Sequence, residues 1–258
     1  MVNFALLSAT SLAALIIVFG ATFLIGRRIG RYNVVDVTWG LSFVVVAAIA
    51  AALGNGDLTR RLLLLALVAV WGLRLAWHLT VKLKGKSEDP RYRAHLEGDF
   101  STTNVLRKIF VVQCAAAWFV SLPLQLSATS GPTPAALLPV LGVGVALWLV
   151  GLTFEAVGDC QLKVFKADPA NKGRIMDRGL WSWTRHPNYF GDACVWWGLW
   201  LTTLNGWPAL ATVLSPVLMT YFLVYATGAR VAEKHMADRP GFREYCSRTA
   251  FFVPRAPR

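Results

Sequence analysis

Between Arg174 and Asp192 the chain reads RIMDRGLWSWTRHPNYFGD, which sets Arg185, His186, Asn188, Tyr189 and Asp192 within one short stretch that runs directly into the apolar segment ACVWWGLWLTTL. Charged and amide groups at the mouth of a membrane helix are costly unless something polar sits among them, and a bound ligand would be such a partner. Just upstream, QLKVFKADPANKG supplies Lys163, Lys166, Asn171 and Lys172 ahead of Arg174 and Arg178. The turn signals ADPAN and DRG fold this segment back over the membrane surface. Several cations converging with backbone amides suit a phosphate or pyrophosphate, and Trp181, Trp183 and Tyr189 offer flat faces for a purine or nicotinamide. A basic loop also serves simply to orient a membrane protein; the interleaved aromatics favour the ligand.

Further polar residues stand where a bilayer should have excluded them. Asp36 lies in YNVVDVTWG, Arg74 and His78 lie four apart in WGLRLAWHLT, and Glu155 and Asp159 lie four apart farther on. Spacing of four places each pair on one helical face. An isolated Arg inside a span costs at least about 2.5 kcal/mol, so Arg74 needs a carboxylate or an anionic ligand, and Asp36 is the expected partner. The alternative for Asp36 and Asp159 is solvation at interface depth, and for His78 an ordinary hydrogen-bonded interior site.

The elements that must position these groups follow from composition. A chain of 258 residues that is 55% hydrophobic, with 11 Trp and a mean hydropathy of +0.49, is too apolar for a soluble domain. Apolar segments long enough to cross a bilayer fall at 3–25, 34–54, 62–82, 108–127, 135–160, 188–204 and 207–230, followed by a tail over 231–258. The expected fold is an all-α bundle of seven transmembrane helices forming one domain, with a tight hairpin at Gly206 and Pro208. Every Lys and Arg except Arg60, Arg61 and Arg74 falls in alternate loops or the tail. That bias places the amino terminus outside and the carboxyl terminus in the cytoplasm. A net charge of +12 distributed in this way serves orientation and anionic headgroups, not nucleic acid. Cys114, Cys160, Cys194 and Cys246 show no paired spacing, so neither a disulfide framework nor a metal site is expected. GVG at 142–144 is no dinucleotide fingerprint, because it lacks a third glycine and lies inside a span.

GLWSWTRHPNYFGD, the preceding GDCQLKVFKADPANKGRIMDRG and the tail EKHMADRPGFREYCSRTAFFVP closely resemble the bacterial branch of the membrane steroid 5-alpha-reductase superfamily, over most of the chain from Arg27 to Pro254. The resemblance implies a seven-helix oxidoreductase of a bacterial inner membrane. Such an enzyme uses NADPH, bound from the cytoplasmic side without a Rossmann domain, to reduce the delta-4 double bond of a 3-oxo-4-ene steroid. Carried over by position, it assigns Asp159, Lys166, Arg174, Asn188 and Asp192 to the cofactor; Asn171, Arg185, His186 and Tyr189, in and beside the same loop, complete the candidate cofactor set. Arg74 falls on a family arginine and His78 on a tyrosine, both near the cofactor. Glu233 and Tyr245 sit in the segment that closes over it. Lys166 replaces an arginine and Asp192 a glutamate, so charge is kept at both.

The departure lies at the substrate ketone, where the family uses a helix 2 glutamate and a helix 3 tyrosine; here the latter position is Trp71. An indole N–H donates a hydrogen bond but does not deliver a proton as a phenol does. Helix 2 offers Asp36 and Trp39. The expected catalytic set is therefore Asp36, Trp39, Trp71 and His78, with Asp36, protonated or acting through Tyr32, Trp39 or Trp71, polarising the ketone. The substrate would enter from the lipid into a cavity among the first four helices, lined by Tyr32, Phe43, Trp118 and Phe119. The competing reading is an S-adenosylmethionine-dependent membrane methyltransferase of the isoprenylcysteine or phospholipid type, whose helix start and glutamate-bearing tail look similar. S-adenosylmethionine carries a sulfonium and asks for carboxylates and aromatics, whereas the cations between the fifth and sixth spans suit the phosphates of NADPH. A transporter is disfavoured by the lack of inverted repeats.

Overall fold

Asn3 accepts a hydrogen bond from the Leu6 amide at 2.9 Å and so caps α1 (Phe4–Ile29), which ends at Gly30 in the left-handed region, φ 71°. The structure is a computed structural model that describes residues 3–257; Arg258, the last cation of the expected tail, lies outside the described residues. After α1 come α2 (Val35–Leu53), α3 (Leu58–Leu83), α4 (Pro90–His95), α5 (Thr102–Val120), α6 (Leu122–Ser127), α7 (Ala135–Ala167), α8 (Pro187–Thr203), α9 (Trp207–Lys234) and α10 (Phe242–Arg248). Extended pairing among the described residues is confined to one parallel bridge, between Thr184 and Ala250.

Six of these helices, α1, α2, α3, α5, α7 and α9, are long and apolar enough to cross a membrane. The sixth expected span, α8, has 17 residues, about 25 Å at 1.5 Å per residue, which is short of a hydrocarbon core of about 30 Å. Among the described residues, six of the expected seven crossings therefore have the length and composition to span. The fifth expected span also runs seven residues past 160, to Ala167, because no glycine or proline interrupts QLKVFKA.

Backbone contacts divide the chain into two units: one runs to Leu138 and includes Thr203–Thr212, the other comprises Pro139–Thr202 and everything from Val213. In the first unit α2 and α3 touch backbone to backbone. A Cβ on Gly40 would stand 2.7 Å from the Gly72 carbonyl oxygen, and one on Gly72 would stand 2.7 Å from that of Gly40, so both positions require glycine. Thr22 and Thr38 join α1 to α2 through a 2.8 Å hydroxyl pair. Asp57 caps α3 by accepting from the Arg60 amide at 2.7 Å.

Arg60 and Arg61, the two cations set apart by the charge pattern, are structural. Arg60 is only 2% exposed and its guanidinium donates to the Ser127 hydroxyl, the Thr133 hydroxyl and the carbonyls of Ser127, Ser130 and Gly131, over distances from 2.8 to 3.2 Å. It thereby satisfies the orphan carbonyls at the end of α6. Arg61 does the same for α2 through the Ala51 carbonyl at 2.7 Å.

In the second unit α7 and α8 form an antiparallel pair along a glycine seam. Gly144, Gly151 and Gly158 recur every seven residues on α7, as do Gly191 and Gly198 on α8. A Cβ on Gly151 would lie 2.5 Å from the Gly191 oxygen, and one on Gly198 would lie 2.6 Å from the Gly144 oxygen. Small residues in this register let two membrane helices approach closely. The seam ends at Gly158, whose Cβ would meet Pro187 at 3.2 Å, and this delivers the start of α8 to the carboxylates of α7.

Candidate functional site

Two clusters of chemistry-bearing residues result, one in each unit. In the second unit the glycine seam brings Asn188 to Asp159: the amide donates to the carboxylate at 3.1 Å, while the Asn188 oxygen accepts from the Tyr189 amide at 3.0 Å. Glu155, Asp159 and Asp192 are buried, at 3%, 7% and 8% exposure, and each is engaged with neighbours, as buried carboxylates must be.

The loop before α8 is fixed from both sides. Trp181 donates its indole N–H to the Gly158 carbonyl at 3.0 Å. The tail runs alongside the loop: the Arg185 amide donates to the Ala250 carbonyl at 2.9 Å, the Thr184 hydroxyl to that of Phe252 at 2.8 Å, and the Arg255 amide to that of Trp183 at 3.0 Å. Under this strap His186, 2% exposed, shares a 3.2 Å hydrogen bond with Glu233 and stacks on Tyr189 at 5.8 Å between centroids. Arg185 pairs with the same Glu233 oxygen at 3.1 Å. Its guanidinium also lies 5.2 Å from the centre of the Phe251 ring, and that of Arg230 lies 4.7 Å from it, a cation–π arrangement. Burial holds the His186 imidazole below its ordinary pKa, with the Glu233 hydrogen bond opposing and the Arg185 charge assisting.

Not every cofactor candidate joins this cluster. Lys166 and Arg174 are exposed. Asn171 closes the turn after α7, donating to the Phe165 carbonyl at 3.0 Å and the Asp168 carboxylate at 3.3 Å; its amide is a helix-end cap. Tyr245 is also redirected: it is 3% exposed and its hydroxyl donates to the Trp181 carbonyl at 2.6 Å. That bond anchors the tail, and burial pushes the phenol pKa up.

In the first unit Asp36 stands in the first turn of α2, where the partial positive charge of the helix end favours a carboxylate. It accepts the hydroxyl of Tyr92, on α4. The segment carrying Tyr92 is clamped to the start of α2. Glu88, 7% exposed, accepts from the Tyr32 amide at 2.5 Å and the Asn33 amide at 3.0 Å; Asn33 donates to the Ser87 carbonyl at 3.3 Å, and Arg31 to the carbonyls of Leu83 and Lys86. Neither Glu88 nor Tyr92 emerged from the sequence. The signal available was SEDPRY, an acidic and aromatic patch inside an otherwise basic loop.

The remaining candidates of this unit are mostly in packing. Trp71 and Phe43 are both fully buried and touch each other at 5.8 Å, with Trp39 edge-on to Phe43 at 5.1 Å. With no exposed surface, Trp71 and Phe43 form core and not a cavity wall. Trp118 spends its indole N–H on the Ser8 hydroxyl at 3.0 Å, and Phe119 beside it is half-buried. The Tyr32 ring packs against Phe23 and Phe110, each at 6.1 Å. Arg74 and His78 are half-buried on α3 and engaged with neighbours.

Long apolar helices whose polar residues gather at helix ends define a multi-pass helical membrane protein. The chain belongs to the family described as Protein of unknown function (DUF1295), whose model matches residues 22–249. It is also 32% identical over 117 residues to the probable O-methyltransferase ustE of Ustilaginoidea virens, an alignment covering 45% of this chain and 36% of that one. The chain therefore spans about a third of the length of the curated relative it matches.

Proposed function

We propose that the protein is an NADPH-dependent membrane reductase acting on the carbon-carbon double bond of a hydrophobic enone, with a 3-oxo-4-ene steroid as the model substrate. The observation that carries this reading is a contrast of charge in the second unit. Its buried carboxylates are already engaged: Asp159 by Asn188, Glu233 by Arg185 and His186, and Glu155 and Asp192 by their neighbours. Three of its exposed cations are not: among the described residues no ion pair holds Lys172, Arg174 or Arg178. A site whose cations remain available suits a polyanion, and the residues thus fit a dinucleotide bearing a pyrophosphate and a further phosphate.

In this reading Lys166 and Arg174 hold the phosphates, while Asn188, Tyr189, Asp192 and the Arg185–His186–Glu233 group shape the pocket for the rings. NADPH, when bound, supplies a hydride to the β carbon of the enone. The protein's part is to exclude water and to aim a hydrogen-bond donor at the carbonyl oxygen, where negative charge grows. In this reading Asp36 has that role. The basic face is the cytoplasmic one, and α8 serves as a seventh, short crossing that the bilayer meets by local thinning.

A second reading, S-adenosylmethionine-dependent methyl transfer, is favoured by one observation, the probable O-methyltransferase among the relatives. Thermal shifts of the detergent-purified protein with NADPH, NADH and S-adenosylmethionine separate the two, because a ligand of the folded state raises the melting temperature by mass action. The reductase reading expects a rise with NADPH that Lys166→Ala and Arg174→Ala abolish. A rise with S-adenosylmethionine alone reverses it.

A further inference from the structure

We propose that a groove at the basic end of α7 binds one phospholipid bearing both a phosphate and a primary ammonium, the phosphatidylethanolamine class, with its acyl chain along α7 and its headgroup between Arg178 and Asp168. The groove, about 430 Å³ in volume, lies between the last two turns of α7, at Cys160, Val164 and Phe165, and the loop that carries Met176 and Arg178, with Asp168 at the helix end. Its walls are fixed. The Leu180 amide donates to the Gln161 side-chain oxygen at 3.0 Å, and a Cβ on Gly179 would stand 2.5 Å from the Gln161 amide nitrogen. Asn171 donates to the Phe165 carbonyl and the Asp168 carboxylate. Gln161 and Asn171 are thus taken up in holding the walls, and Val164, Phe165 and Met176 leave the floor apolar.

The groove continues a lipid-facing stripe. Val143, Val150, Val157 and Val164 recur every seven residues, so they share one face of α7, and all four are exposed. The α-helical part of α7, Leu138–Ala167, has 30 residues, about 45 Å against a hydrocarbon core of about 30 Å; the end bearing Lys163 and Lys166 is the one that leaves the core. The groove therefore lies where an acyl chain meets its headgroup. Arg178 and Asp168 are exposed, and among the described residues no ion pair holds either. A guanidinium matches a phosphate, and a carboxylate matches an ammonium with N–H donors, which a choline lacks. One cation with one carboxylate fits a zwitterion, whereas the phosphates of a dinucleotide ask for cations alone. Neither Lys166 nor Arg174, which hold the phosphates in the reductase reading, lines the groove, so the inference stands apart from that reading.

The test is native mass spectrometry of the full-length protein, stripped of lipid in detergent and titrated with the dioleoyl forms of phosphatidylethanolamine, phosphatidylcholine and phosphatidylglycerol. The expected result is one saturable equivalent of phosphatidylethanolamine, bound about fivefold or more tightly than the other two. Arg178→Ala should weaken it about tenfold. Asp168→Asn, which keeps an acceptor for the Ala170 amide that Asp168 now caps at 2.9 Å, should bring phosphatidylethanolamine down to the level of phosphatidylcholine. A second readout needs no variant: the exposed Cys160 thiol, located by peptide mass, should react more slowly with a maleimide when phosphatidylethanolamine is present. The proposal is overturned if the three lipids bind alike, if phosphatidylglycerol binds tightest, or if Cys160 reacts equally with and without phosphatidylethanolamine. Displacement of the lipid by NADPH would give the groove to a nucleotide, and a dimer that Val157→Arg splits would give the stripe to a second copy; either result overturns it. A protein that ignores NADPH yet selects phosphatidylethanolamine through Asp168 and Arg178 removes the reductase reading and leaves this site standing.

Discussion

The Asp36 corner of the first unit and the Asn188 corner of the second solve the same problem by different means. Each must keep carboxylates at the end of an apolar helix. At Asp36 the solution is neutral: a phenol donates to the carboxylate, and Glu88 takes backbone amides from the start of α2. At Asn188 it is ionic and aromatic: Glu233 binds a guanidinium and an imidazole, and Phe251 is flanked by Arg185 and Arg230. The first arrangement satisfies its carboxylates with neutral donors; the second uses cations, and Lys172, Arg174 and Arg178 in the same unit are held by no ion pair among the described residues.

The contrast is most severely tested in the scaffold. Gly151→Leu forces a side chain into the Gly191 backbone, already 2.5 Å from where its Cβ would stand, and should cost about 3 kcal/mol or more, seen as loss of monodisperse protein. Gly142→Leu, on the same helix with nothing within 4 Å, should be silent. A tolerated Gly151→Leu would mean that the seam does not position Asn188.

Next in size, removing Glu233 in the second unit or Arg60 in the first should each cost on the order of 3 kcal/mol, the one by breaking a partly buried ion pair and the other by leaving buried acceptors without a donor. Glu233→Ala strands Arg185 in the second unit, and Arg60→Ala deprives the α6 carbonyls of their donor in the first. Both are read as melting temperature, and only Glu233→Ala should also weaken the NADPH response. Tyr245→Phe leaves the Trp181 carbonyl without its 2.6 Å donor and should cost about 1 to 2 kcal/mol, with faster proteolysis of the tail.

The smallest effect is in pH. The unfolded chain takes up a proton on His186 near its ordinary pKa of 6.5, whereas the buried imidazole of the folded chain does so only at lower pH. Between the two values the unfolded state binds more protons, so stability is full above pH 6.5 and falls as pH drops below it. His186→Gln should flatten the melting temperature over that range, and an unchanged slope would place the titration elsewhere.

Much of the helical plan was legible because apolar runs of bilayer length need no partner to be recognised. The polar mouth of α8 was legible for the same reason, since Asn188 and Asp192 were conspicuous against an apolar background. What escaped depended on long-range pairing. Glu88 and Tyr92 lie 56 residues from their partners Tyr32 and Asp36, and no local pattern announces such a clamp. Arg60 stood out only as an exception to the charge bias, and its role is evident once the end of α6 is folded onto it. The heptad glycines could have been seen in the sequence, but only the facing helix gives them meaning. Tyr245 was assigned to a ligand on resemblance and Asn171 as part of the basic loop, while the hydroxyl of the first bonds the Trp181 carbonyl and the amide of the second bonds Phe165 and Asp168.

The most direct measurement is titration of the purified wild-type protein with NADPH, following quenching of its tryptophan fluorescence, alongside the Arg174→Ala variant. A saturable curve for the wild type that Arg174→Ala shifts at least tenfold is the expected result. A flat wild-type curve, with saturation by S-adenosylmethionine instead, contradicts the assignment of the exposed cations to a phosphate-bearing cofactor.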